Sequence, residues 1–161
     1  MIRRTVWLAG VAAGGVAAVG AALVTQHLYG MQPCPWCVLQ RAIFLAISIA
    51  ALAGLLLPGL LRRMAIVILV LLTGCGAGAA LWQHFVAASA ASCNLTLADR
   101  IVGGMKLDEH WPDIFMATAS CADAKVDLFG LPYEAWSLAL FAVMGAVGVR
   151  LLLPSRGPRT R

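Results

Sequence analysis

Long stretches of this chain carry no charge at all, and that constrains the fold more tightly than any motif. Between Arg4 and Arg41 there is no Asp, Glu, Lys or Arg; residues 42–61 lack charge, and so do residues 64–98. A fourth stretch, about 133–153, is interrupted only by Glu134 at its start and Arg150 near its end. About 20 apolar residues are needed to cross a bilayer as a helix. Inside hydrocarbon every backbone polar group must be satisfied by the segment itself, which leaves helices for runs of this length. The composition agrees: the chain is 61% hydrophobic and 12% charged, with mean hydropathy +0.88, against about 25% charged residues in a soluble domain. The expected fold is an all-α integral membrane protein, one domain over residues 1–161 built as a four-transmembrane-helix bundle with spans at about 7–25, 39–57, 64–86 and 133–153. Pro58-Gly59 closes the second helix, and residues 58–63 form a tight turn into the third.

The basic residues orient the bundle. Arg3, Arg4, Arg62, Arg63, Arg150, Arg156, Arg159 and Arg161 fall on one side, whereas Arg41, Arg100, Lys106, Lys125 and all seven acids fall on the other. The positive-inside rule then makes both termini cytoplasmic and the segments at about 26–38 and 87–132 external, the second a long extracytoplasmic loop between helices 3 and 4. The pI near 9.3 therefore reflects topology; the basic residues are juxtamembrane, and no nucleic-acid partner is expected. Tyr29, Trp36, Trp82, Trp111, Tyr133 and Trp136 lie at the outer ends of the spans, as an interfacial belt would.

The first span competes with a cleavable signal peptide, but its apolar length exceeds the core of such peptides and a retained helix is expected. Gly10 with Gly14 and Gly74 with Gly78 have GxxxG spacing, which in a glycine-rich chain arises readily by chance. Residues 87–132 mix apolar and charged positions irregularly. The alternatives there are a solvated loop and a short amphipathic element on the membrane surface that carries cysteines across the top of the bundle; the second is preferred.

The chemistry rests on cysteine. Cys34-Pro35-Trp36-Cys37 stands directly before the second span, where a helix N-terminus favours thiolate on either sulfur. Arg41 falls one turn beyond Cys37 on the same helical face and adds a full positive charge. Cys93 and Cys121 form a second, widely spaced pair in the outer loop. A disulfide between them could simply brace that loop. Two pairs on one face also make a relay, one pair reaching a soluble partner and the other an electron acceptor in the membrane. Zinc is disfavoured, because Cys93 and Cys121 lack close Cys partners and an oxidising compartment consumes free thiols, so no metal is assigned. A c-type haem is excluded because Val38 stands where a His must follow Cys37. His84, near the outer end of the third span, is either a hydrogen-bonded packing residue or, with Arg41, a contact for the carbonyl oxygens of a membrane quinone. Cys75, mid-span among small residues, reads as inert packing.

The run C34-P-W-C37-V-L-Q-R41, the W-Q-H84 closing the third span, A-S-C93 soon after, and S-C121-A-D-A-K-V-D-L-F-G-L before the fourth span resemble the DsbB family of bacterial disulfide bond formation proteins. The resemblance covers nearly the whole chain. It implies a quinone-dependent protein-disulfide oxidoreductase of the bacterial inner membrane, with ubiquinone or menaquinone as cofactor. By the resemblance Cys34 and Cys37 are the quinone-coupled pair, Cys93 and Cys121 the pair that oxidises a DsbA-like periplasmic thioredoxin-fold partner, and Arg41 and His84 quinone contacts. The redox loops would then be periplasmic and the other partners the quinone pool and the lipid bilayer. Two alternatives differ in kind: a vitamin K epoxide reductase-like oxidoreductase, whose C-x-x-C would fall on the last helix, and a non-catalytic membrane scaffold braced by structural disulfides.

Overall fold

The structure, a computed structural model, describes residues 2–87, 96–124 and 126–153. Four helices are long and apolar enough to cross a membrane. They are α1 (Ile2–Tyr29), α2 (Pro35–Leu56), α3 (Gly59–Trp82), which continues as a π-helical turn over Gln83–Ala87, and α7 (Tyr133–Leu152). The chain is a multi-pass membrane protein. Each helix packs on the next in sequence, and α7 returns against α3 and α1, closing the bundle.

Local chemistry sets the boundaries. Gly30, at φ +66°, terminates α1 in the left-handed region, and the Met31 N–H reaches back to the Thr25 carbonyl at 3.2 Å, satisfying an orphaned helix-end acceptor. α2 starts at Pro35, four residues earlier than the apolar pattern suggests, because Cys34 caps it: the Cys34 sulfur accepts the Cys37 N–H at 3.3 Å, and Pro35 needs no donor partner at the first helical position. α3 likewise begins at Gly59, so Arg62 and Arg63 lie within its first turns and the connection shrinks to Leu57-Pro58. The Arg62 Nε–H caps the end of α2 at the Leu57 carbonyl, 3.1 Å away.

Between membrane helices the lipid is as apolar as the side chains, so packing decides the fit more than hydrophobic transfer does. Phe44 of α2 and Phe141 of α7 stack with centroids 4.1 Å apart and planes 6° from parallel, at the centre of a cluster with Leu8, Ile47, Leu69 and Met144. Gly76 of α3 makes this possible, since a Cβ there would run into the Phe141 ring. Neither GxxxG pair serves such packing as a pair: Gly10, Gly74 and Gly78 have open space where a Cβ would go, and only Gly14 meets a neighbour, Met144.

Between α3 and α7 the described residues form three short helices, α4 (Leu97–Gly104), α5 (Leu107–His110) and α6 (Pro112–Phe115), followed by a two-residue hairpin pairing β1 (Asp127–Leu128) with β2 (Leu131–Pro132). α4, opened by a Thr96–Asp99 capping box, is a short amphipathic helix, but its apolar side is not laid on the membrane surface as expected. It docks on protein: Ala98 and Val102 are buried against α2 beside Cys34, Val38 and Leu39. The aromatic belt needs one correction. Tyr29, Trp82, Trp111 and Trp136 are exposed, but Trp36 is buried at the base of α4, 6.3 Å from Trp82 between ring centroids, because α4 docks over the first turn of α2. Cys75 also departs from expectation, being exposed on the outer surface of α3.

Candidate redox site

The site forms where the segment before α2 is stitched to the outer loop. The Pro33 carbonyl accepts the N–H groups of Thr118 and Ala119 at 3.0 and 3.3 Å, and the Thr118 hydroxyl donates to the Gln32 side chain. This brings the turn after Ser120, and with it Cys121, onto the N-terminus of α2.

Three cysteines converge there as free thiols. Cys34 is wholly buried, its sulfur 2.7 Å from that of Cys37, and its side chain also hydrogen-bonds with Cys121. Position in the fold separates their chemistry. Shared hydrogen bonding with Cys121 and then Cys37, together with burial, pushes the Cys34 thiol far above the usual thiol range. The same hydrogen bond from Cys34, aided by the Trp36 backbone, lowers Cys121, outweighing its own partial burial. Cys93 lies outside the described residues.

The two partners of Cys34 open in different directions. Cys37 faces a cavity of about 250 Å³ between α1, α2 and α7, walled by small and apolar side chains such as Ala18, Ala22, Phe44 and Leu140. Cys121 lines a separate, wider groove of about 1050 Å³ bordered by Trp36, Trp82 and Leu97, with Cys75 at its membrane side. Cys34 lines neither.

Arg41 reaches the same cavity as Cys37 and is buried. It donates Nη1–H to the Gln26 side-chain oxygen at 2.7 Å and to the Ile114 carbonyl at 2.9 Å, and Nη2–H to the Ala22 carbonyl at 3.4 Å. These acceptors are neutral, and no carboxylate among the described residues pairs with it. A cation held this way keeps a charge on the cavity wall that no directly bonded carboxylate neutralises, suited to a ligand that gains negative charge.

His84 is placed otherwise than beside Arg41. Its ring is half-exposed, and Nδ1 lies 2.8 Å from the Glu134 carboxylate; Glu134 is buried and lines the cavity, while His84 does not. Gln26, Gln40 and Gln83, given no role from the sequence, and Tyr133, expected only in the interfacial belt, all contribute to this site. The available signal was the rarity of uncharged polar groups in apolar runs.

A family model for "Disulfide bond formation protein DsbB" matches residues 3–151. The chain belongs to the DsbB family. Among curated relatives, "Disulfide bond formation protein B" of Aromatoleum aromaticum is 34% identical over 145 residues, covering 86% of both chains. "Disulfide bond formation protein B 1" of Pseudomonas aeruginosa is 34% identical over 131 residues, covering 78% of this chain and 80% of the relative, and the Dechloromonas aromatica protein is 33% identical over 158 residues, covering 91% of each. Membership makes this chain a membrane thiol oxidase with disulfide oxidoreductase activity.

Proposed function

We propose that this chain reoxidises a periplasmic, DsbA-like thioredoxin-fold dithiol protein and passes the electrons to the membrane quinone pool, either ubiquinone or menaquinone, from the bacterial inner membrane, with both termini cytoplasmic and the cysteine end periplasmic. The observation that carries this reading is Cys34, buried between two sulfurs that open on two different spaces. In the oxidised resting state Cys93 is bonded to Cys121 and Cys34 to Cys37. A partner thiolate attacks Cys93, forming a mixed disulfide and releasing Cys121 as thiolate; the partner's second thiolate then attacks its own sulfur in the mixed disulfide, so that the partner departs as a disulfide and Cys93 is freed as thiolate. The Cys121 thiolate attacks the Cys34 sulfur, the Cys34–Cys37 bond breaks, and Cys37 departs with the electron pair. Cys93 then attacks Cys121, restoring the outer disulfide and leaving Cys34 and Cys37 as the reduced pair.

The residues of the inner cavity fit a quinone head group. The space beside Cys37 is apolar and ring-sized, and Arg41 presents positive charge without a carboxylate partner. When bound, the quinone accepts two electrons and two protons as Cys34 and Cys37 return to a disulfide. In this reading Arg41 orients a carbonyl oxygen and offsets charge building there. His84 acts through Glu134, whose carboxylate it holds at the cavity wall. The test mixes the purified oxidised protein with a reduced thioredoxin-fold partner and a soluble quinone while quinone absorbance is followed. Loss of one quinone per partner dithiol supports the proposal. Absorbance that stays constant while both bridges remain oxidised would assign the cysteines to bracing.

A further inference from the structure

Beside Cys37 lies a buried pair of amides. Gln40 of α2 donates Nε2–H to the Gln83 Oε1 at 2.7 Å, and Gln83, on the π-helical turn, donates Nε2–H to the Cys37 sulfur at 3.3 Å. Both glutamines are almost fully buried, 3% and 6% exposed. We propose that Gln83 stabilises Cys37 as a thiolate and so sets how readily the Cys34–Cys37 disulfide accepts electrons, with Gln40 as the positioning residue that fixes which end of the Gln83 amide faces the sulfur.

A side-chain amide presents a donor at one end and an acceptor at the other. Turned over, Gln83 would aim its oxygen at Cys37 and repel a sulfur anion. Gln40 opposes this by donating to that oxygen, so Gln83 can turn without losing the bond only if Gln40 turns with it. The geometry makes the pair a directional device: two hydrogen bonds, each requiring the other's orientation.

The need for such a donor follows from the surroundings. When Cys34 is attacked, Cys37 leaves with the electron pair at the edge of a largely apolar cavity, where an anion without hydrogen bonds is costly. Arg41, one turn along α2, spends its hydrogen bonds on Gln26, Ile114 and Ala22. Among the described residues, the side chains that hydrogen-bond the Cys37 sulfur are Cys34 and Gln83, and Cys34 is the atom being attacked. A leaving thiolate that is better stabilised leaves faster, and a couple whose reduced form is stabilised is more oxidising.

The inference rests on the redox reading of the Cys34–Cys37 pair, and its test needs neither quinone nor partner. Full-length protein carrying Cys93→Ser and Cys121→Ser, so that only this pair titrates, is equilibrated with glutathione buffers, and the dithiol fraction is read by thiol labelling and mass spectrometry. Methionine is nearly isosteric with glutamine and removes donor and acceptor together. Gln83→Met should lower the equilibrium constant for reduction about tenfold, about 30 mV toward a weaker oxidant. Gln40→Met should shift it the same way by a smaller factor, and on the Gln83→Met background it should add nothing, since Gln40 acts only through Gln83. An unchanged constant in Gln83→Met would overturn the proposal. So would a Gln40→Met effect that persists in full in the double variant. Failure of the wild-type protein to consume quinone would instead strike the proposed function, because the glutathione equilibrium judges Gln83 independently.

Discussion

The Arg41 guanidinium donates to the Gln26 side-chain oxygen at 2.7 Å, linking α2 to α1 across the head of the cavity that Cys37 faces. Gln26 therefore helps aim this charge, together with the Ile114 and Ala22 carbonyls. Hydrogen bonds from a charged group contribute about 1.5–3 kcal/mol, so Arg41→Ala should raise the apparent quinone KM by roughly 10- to 150-fold. Arg41→Lys should recover part of that loss, keeping the charge without the planar fork, and Gln26→Leu should give a milder rise. The check is KM measured on folded, detergent-purified protein of each variant. A KM left unchanged by Arg41→Ala would remove Arg41 from the acceptor site.

The pH behaviour of Cys121 follows from its contact with Cys34. A donor to the Cys121 sulfur favours the thiolate, so Cys121 loses its proton below the usual thiol range, and removing the donor must move the titration upward. In reduced protein, the pH at which Cys121 alkylation reaches half its maximal rate should therefore rise in Cys34→Ala. A downward shift would mean that relief of burial outweighs the lost hydrogen bond.

His84 and Glu134 offer a discriminating pair. Since Glu134 lines the cavity and His84 reaches it only through that carboxylate, Glu134→Gln should disturb quinone turnover more than His84→Gln. Steady-state kinetics of the two variants decide the matter. A larger effect from His84→Gln would give the imidazole a direct contact with the acceptor.

Stability should hinge on Gly76. An added methyl would press on the Phe141 ring, itself stacked on Phe44, so neither ring can yield without displacing the other. Overpacking of this kind costs about 1–3 kcal/mol. Gly76→Ala should lower the midpoint of thermal unfolding in detergent, whereas Gly74→Ala, where the same methyl meets open space, should leave it nearly unchanged.

The spans and the cysteines were legible because each leaves a one-dimensional mark: runs without charge for the helices, and C-x-x-C with Arg41 one turn on for the inner pair. The role of Cys34 as N-cap was not, since capping depends on φ and ψ at that residue and moved the start of α2 back to Pro35. Trp36 looked interfacial by its position near a span end; the docking of α4, a long-range contact, buried it. Gln40 and Gln83 belong to different helices and acquire meaning only when α2 and α3 are in register. Glu134 looked like a boundary charge because nothing in the chain order says that α7 turns it toward the cavity.

The central claim is that Cys34 is the obligatory junction between the outer disulfide and the acceptor cavity. Its most direct test follows two signals in Cys34→Ser: quinone absorbance, and the covalent adduct formed with a partner lacking its second thiol. The account predicts that the adduct at Cys93 still forms while quinone consumption stops. Quinone consumption continuing at the wild-type rate in Cys34→Ser would contradict it.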